Sequence, residues 1–131
     1  MAEPVWITEE LARAIHSRQL AEHGGIEGVR DAGLLSSALA RPRHLLSYST
    51  ERVNLPQLAA AYAFGIAKNH PFLDGNKRTA YVVCRTFLKI NGNDLIATQE
   101  EKYLTFLRLA EGTLSEEELA DWVREHLQHP S

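Results

Sequence analysis

Between Leu55 and Ile90 an apolar helical pattern is interrupted once, at His70-Pro71-Phe72-Leu73-Asp74-Gly75-Asn76-Lys77-Arg78. Before the break, Leu58, Ala61, Tyr62, Gly65 and Ile66 repeat at helical spacing. After it, Val82, Val83, Thr86, Phe87 and Ile90 do the same. Pro71 cannot carry a helix onward, and Gly75 permits a positive φ. The pattern therefore calls for two apolar helices joined by a short polar loop. Two such helices need more helices to cover them, so the chain is bound to a bundle.

The loop is dense in chemistry. His70 ends the first helix, and an imidazole is the side chain type most suited to a general base. Asp74 offers one carboxylate that can hold a magnesium ion through an oxygen. Gly75 lets successive amides turn toward one point. Asn76 is placed to cap the helix that begins near Lys77. That helix start presents unpaired N–H groups and the positive end of a dipole, which suits a phosphate. Lys77 and Arg78 add charge there, and Arg78 can grip a phosphate with two donors. The expected catalytic residues are His70, Asp74 and Arg78. The expected phosphate site is Gly75, Asn76, Lys77 and Arg78, with Asp74 as metal ligand. By composition alone, a loop of Asp, Gly and Asn is an ordinary turn, and His-Pro an ordinary helix end.

The rest of the chain supplies the cover. Residues 1–7 read as an arm, with Val5 to Ile7 a short extended segment. Thr8 is an N-cap, with Glu9 and Glu10 in the favourable first turn. Leu11, Ala14, Ile15 and Leu20 follow on one face, and His16 beside them reads as a satisfied, partly buried histidine. Gly24, Gly25, Gly28 and Gly33 mark a loop. No strand precedes it and no Gly-Lys-Ser/Thr follows, so it is not a nucleotide loop. Leu34, Leu35, Ala38 and Leu39 predict a short helix ended by Pro42. From Arg43 to Asn54 periodicity is weak. Asn54-Leu55-Pro56 starts the first apolar helix, and Gly92 stops the second. Capping boxes at Thr98–Glu101 and Ser115–Glu118 open two more helices. One carries Tyr103, Phe106, Leu107 and Ala110; the other carries Leu119, Trp122, Val123 and Leu127. The acids Glu116 to Glu118 are dipole-favoured first-turn residues. Arg85 lies two turns beyond Arg78 and reads as solvated or ion-paired. The expected fold is all-α: a compact bundle of about six helices with little or no β.

Composition narrows the function. A chain of 131 residues, 44% hydrophobic, makes one domain over 1–131 with a real core. A formal net charge of −3 argues against a broad basic face for nucleic acid. The lone cysteine, Cys84, lies in an apolar run and reads as a small buried hydrophobe. There is no run of membrane length and no signal peptide, so the expectation is a soluble cytoplasmic protein with no membrane partner.

The His70–Arg78 stretch resembles the signature of the Fic/Doc family, His-x-Phe-x-acid-Gly-Asn-Gly-Arg-x-x-Arg. His70, Phe72, Asp74, Gly75, Asn76 and Arg78 match it. Lys77 stands at the second glycine, as in the Doc branch, and Tyr81 stands at the second arginine. The run from Gly24 to Asp31 and on to Pro42 is similar to the early part of Doc-like proteins. The resemblance implies a toxin that transfers the γ-phosphate of ATP, with Mg2+, to a threonine of translation elongation factor Tu. AMP transfer to a protein hydroxyl is the alternative it implies; a non-catalytic helical binding module is a second one. Phe72 would anchor the loop, and the segment before the signature helix would line up the target. Self-restrained members carry Ser/Thr-x-x-x-Glu-Gly/Asn. Here only Glu27 and Glu111 precede glycine, and His23 and Leu107 stand four residues before them. The resemblance therefore implies a small antitoxin bound in trans.

Overall fold

The computed structural model describes residues 3–128. In chain order they form α1 (Glu9–His23), α2 (Ala32–Tyr48), α3 (Leu55–Asn69), α4 (Asn76–Ile90), β1 (Asp94–Leu95), α5 (Gln99–Glu111), α6 (Glu116–Glu125) and β2 (Leu127–Gln128). The expected all-α bundle is what forms. The β content among the described residues is one antiparallel pair, with Asp94 opposite Gln128 and Leu95 opposite Leu127. It ties the segment after α6 to the turn after α4.

Helix α3 is the axis. An Asn54–Gln57 capping box and Pro56 start it. Leu58 through Ala63 are fully buried, so no face of this stretch meets water. α2, α4 and α6 pack around it. Its alanines and Gly65 let backbones come close. A Cβ on Gly65 would lie 3.1 Å from both the Cα and the carbonyl oxygen of Ala38. Helix α4 lays Val83, Cys84, Phe87 and Leu88 against α3. Gly92, at φ 89°, makes the expected stop. The Thr98 and Ser115 capping boxes both form.

Several expectations need correction. Pro42 does not end α2. The helix runs on to Tyr48 with Pro42 inside it and buried. An interior proline costs about 3 kcal/mol, which the packing of α2 on α3 offsets. The Ala38 carbonyl that loses its donor to Pro42 is the one that lies against Gly65. Half of the aperiodic 43–54 segment is thus helix. Ala14 is exposed, and α1 buries Ala12, Ile15, His16, Gln19 and Leu20 instead. Ile90 and Tyr103 are exposed, while Leu109 is buried on α5 beside Phe106. The Val5 to Ile7 segment lies outside helix and strand, and the Asn91 side chain holds Val5 through its N–H at 2.8 Å and its carbonyl at 2.9 Å. The first two residues of the expected arm lie outside the described residues.

Replacing Gly65 by Val should lower the free energy of unfolding by ~1–3 kcal/mol, because added methyls must push α2 off α3. The urea midpoint measures this, and an unchanged midpoint would contradict the close contact.

Candidate phosphate-binding and catalytic loop

α3 stops because His70 turns left-handed, at φ 48° and ψ 56°, and Pro71 follows. Phe72 then drops into the core, 1% exposed, and stacks on the His16 ring at 3.9 Å between centroids. His16 is itself buried, and its Nε2–H donates to the Asp74 carbonyl at 2.8 Å. This fixes the proton on Nε2, since a carbonyl can only accept. The bland reading of His16 holds, with the addition that it supports the loop from beneath.

The Asn76 side chain folds back and makes two bonds to Phe72. Its Oδ1 accepts from the Phe72 N–H at 3.0 Å, and its Nδ2 donates to the Phe72 carbonyl at 2.9 Å. Asn76 is therefore not the expected cap. The N-cap is Gly75, at φ 74°, and no side chain caps α4. The first backbone bond of the helix start is Thr79 N–H to Gly75 O, at 3.0 Å. Among the described residues, the N–H groups of Asn76, Lys77 and Arg78 have no protein acceptor. They are the free positive end of α4.

Asp74 lies at the rim of this helix start. Its Oδ2 accepts from Ile26 N–H at 3.1 Å and its Oδ1 from Gly75 N–H at 2.8 Å. Those bonds, the Ile26 one first, hold the carboxyl below its ordinary pKa; the Arg78 charge adds to them. It is exposed, so it stays ionised with lone pairs to spare. No cluster of three or more His, Cys, Asp or Glu ligands occurs among the described residues. An ion here would rest on Asp74 and on oxygens of its ligand, the arrangement magnesium adopts with phosphates.

His70, Asp74, Gly75, Lys77 and Arg78 line one cavity of about 310 Å³, so the structure does bring the expected site residues together. His70 also opens onto a second cavity, about 510 Å³, toward Phe64, Lys68 and Thr113. The Lys77 amine rests 4.9 Å from the Tyr103 ring centre, and Lys77 and Arg78 also line a third cavity shared with Tyr81 and Lys102. Arg85 is elsewhere. Its guanidinium pairs with Asp94 at 3.0 and 3.3 Å, the ion-paired role expected of it. Cys84 is buried, which pushes its thiol up to about 12 and leaves it inert. A fourth cavity, about 380 Å³ between α2, α3 and α6, is lined by Glu116, Glu117 and Asp121 against one cation, Arg124, a net negative charge that disfavours a phosphate.

One part of the site escapes a reading by motif. The glycine-rich 24–30 loop lies along the His70–Asp74 loop. Leu73 N–H donates to Gly28 O at 3.0 Å, and Arg30 N–H to Pro71 O at 2.7 Å, with Val29 bridging Phe72. A Cβ on Gly25 would sit 2.9 Å from the Asp74 carboxylate. Gly25 and Gly28, both at positive φ, serve this close approach, and the density of glycines was the signal available in the sequence.

The bundle opens a helix N-terminus beside a histidine, a carboxylate and two cations, an arrangement that could receive a phosphate. The sequence model of the Fic/DOC family matches residues 6–88, and the chain belongs to that family. Within it, the chain is similar to toxin Doc of Mycolicibacterium smegmatis, 46% identical over 74 residues. That match covers 56% of this chain and 57% of the relative. It is also similar to protein kinase doc of Escherichia phage P1, 31% identical over 118 residues, covering 90% of this chain and 92% of the relative.

Proposed function

We propose that the protein is a Doc-like toxin, a protein kinase that transfers the γ-phosphate of ATP to a threonine hydroxyl of translation elongation factor Tu. A small antitoxin bound in trans would restrain it. The observation that carries this reading is the convergence of three free α4 amides, Lys77 and Arg78 beside an ionised Asp74 and an exposed His70. Similarity to a relative named as a protein kinase supports it.

In this reading the acceptor hydroxyl approaches through the His70 opening. Its oxygen bonds to the γ-phosphorus, the bond from that phosphorus to the β–γ bridging oxygen breaks, and ADP leaves. His70 takes the hydroxyl proton. The α4 amides and Arg78 hold the equatorial oxygens, where charge stays high through the transfer. Magnesium, held by Asp74, would supply charge neutralisation between the phosphates. Asn76 contributes its backbone N–H, while its side chain keeps the loop closed on Phe72. A bound phosphate draws the Lys77 amine off the Tyr103 ring, since an exposed cation–π contact of about 0.5–1 kcal/mol is weaker than a charge-assisted hydrogen bond of about 1.5–3 kcal/mol.

AMP transfer is the competing chemistry, with the bond forming at the α-phosphorus and pyrophosphate leaving. Lys77 speaks against it. Its Cβ stands at the second residue of α4, where a glycine would let phosphates lie directly on the backbone. Incubation with elongation factor Tu and ATP labelled at the α or the γ position decides between them. Label from the γ position alone is expected; label from the α position would overturn the kinase reading. His70→Ala should cut the transfer rate ~10²–10⁴-fold without loss of fold, and a folded variant at the wild-type rate would rule out His70 as base.

Asp74→Asn should shift the magnesium titration to higher concentrations, because a neutral amide is a poorer ligand for a hard cation. An unmoved titration curve would remove Asp74 from the metal.

A further inference from the structure

His70 is the one non-glycine residue with a positive φ among the described residues. Such a backbone persists only where its surroundings enforce it. The imidazole makes no hydrogen bond to the described residues, so its direction follows from the backbone it stands on. That backbone is gripped by a single side chain. The Arg30 Nε–H donates to the His70 carbonyl at 2.7 Å, and its NH2 group donates to the Asn69 carbonyl at 2.8 Å. Its own N–H donates to the Pro71 carbonyl, also at 2.7 Å. One residue thus holds three consecutive carbonyls around the left-handed turn.

The chemistry suits the place. Asn69 and His70 close α3, where carbonyls lack helical partners and the dipole is negative, so a cation is favoured. Pro71 has no N–H, and the Phe72 N–H is spent on Asn76, so the turn supplies no donors of its own; the Asp31 N–H shares the Pro71 carbonyl at 3.1 Å, but the Asn69 and His70 carbonyls are left to the Arg30 guanidinium. Only a planar fork reaches two carbonyls at once.

We infer that Arg30 is a positioning residue for the reaction: it holds the His70 turn and so aims the imidazole into the cavity it shares with Asp74 and Arg78. This rests on His70 being the base, and the test separates the two ideas. The full-length chain is compared as wild type, Arg30→Ala, Arg30→Gln, Arg30→Lys and His70→Ala. Arg30→Ala should lose ~10–100-fold in kcat while binding ATP with wild-type stoichiometry and a KM within about threefold, as expected when a reacting group is misplaced rather than a binding site lost. Arg30→Lys should fall between, since an ammonium satisfies one carbonyl well and not two. Guanidinium ion, at levels that leave wild type unaffected, should restore part of the Arg30→Ala rate. The His70 ring signals in an NMR spectrum should shift in Arg30→Ala even without substrate.

Wild-type kcat and an unmoved His70 signal in Arg30→Ala, with His70→Ala inactive, would overturn the proposal and leave the base intact. Activity in His70→Ala would instead sink the base, while the ring signal still reports on Arg30. ATP stoichiometry falling in step with rate would mean mere structural damage and would also overturn it. If Arg30→Ala does not fold, Arg30→Gln carries the same comparison, and wild-type kcat there counts against Arg30.

Discussion

The site depends on the Asn76 amide turning back onto the Phe72 backbone. Those two hydrogen bonds spend a side chain that would ordinarily cap α4, and they leave Gly75 at the N-cap with nothing to offer. The consequence is a helix start whose amides are open. Elsewhere in the chain the opposite choice is made. Thr8, Asp31, Asn54, Thr98 and Ser115 each cap their own helix with a side-chain oxygen. Five helices close their positive ends and α4 does not. An uncapped end loses roughly 1 kcal/mol of helix stability, a small sum beside the burial of α4 on α3. An open end is therefore tolerable here, and it leaves donors free for an anion.

Some of the cations are spent on carboxylates and others are not. Arg13, Arg18, Arg41, Arg85 and Arg124 all meet carboxylates. Lys77 and Arg78 meet none among the described residues, although Asp74 is near enough for Arg78 to be felt in its pKa. Asp74 turns its oxygens to two backbone amides instead, so it remains a carboxylate without quenching the cations. A chain of net charge −3 thus keeps a local positive site.

The helices and their caps were legible because their causes are local. Asn54, Thr98 and Ser115 sit next to the groups they satisfy, and Gly92 ends α4 by its own backbone freedom. The His70–Arg78 stretch was legible for the same reason: its chemistry is contiguous. What was not legible came from partners distant in sequence. Pro42 stays helical because α3 holds α2, which no local rule about proline contains. The glycines from 24 to 28 read as a plain loop because the surface they fit, at Leu73 and Asp74, lies far along the chain. The turn of Asn76 toward Phe72 rather than toward its own helix was missed because both choices are four residues or fewer away. Geometry, not residue type, decides between them.

In the proposed function, phosphate is received at the open start of α4. Titration of the isotopically labelled protein with Mg2+ and ATP, followed through its backbone amide NMR signals, tests this directly. The account predicts the largest shifts at Asn76, Lys77 and Arg78, with Gly75 beside them. Still signals there, with movement instead around Glu116, Glu117 and Asp121 in the α2–α6 cavity, would contradict it.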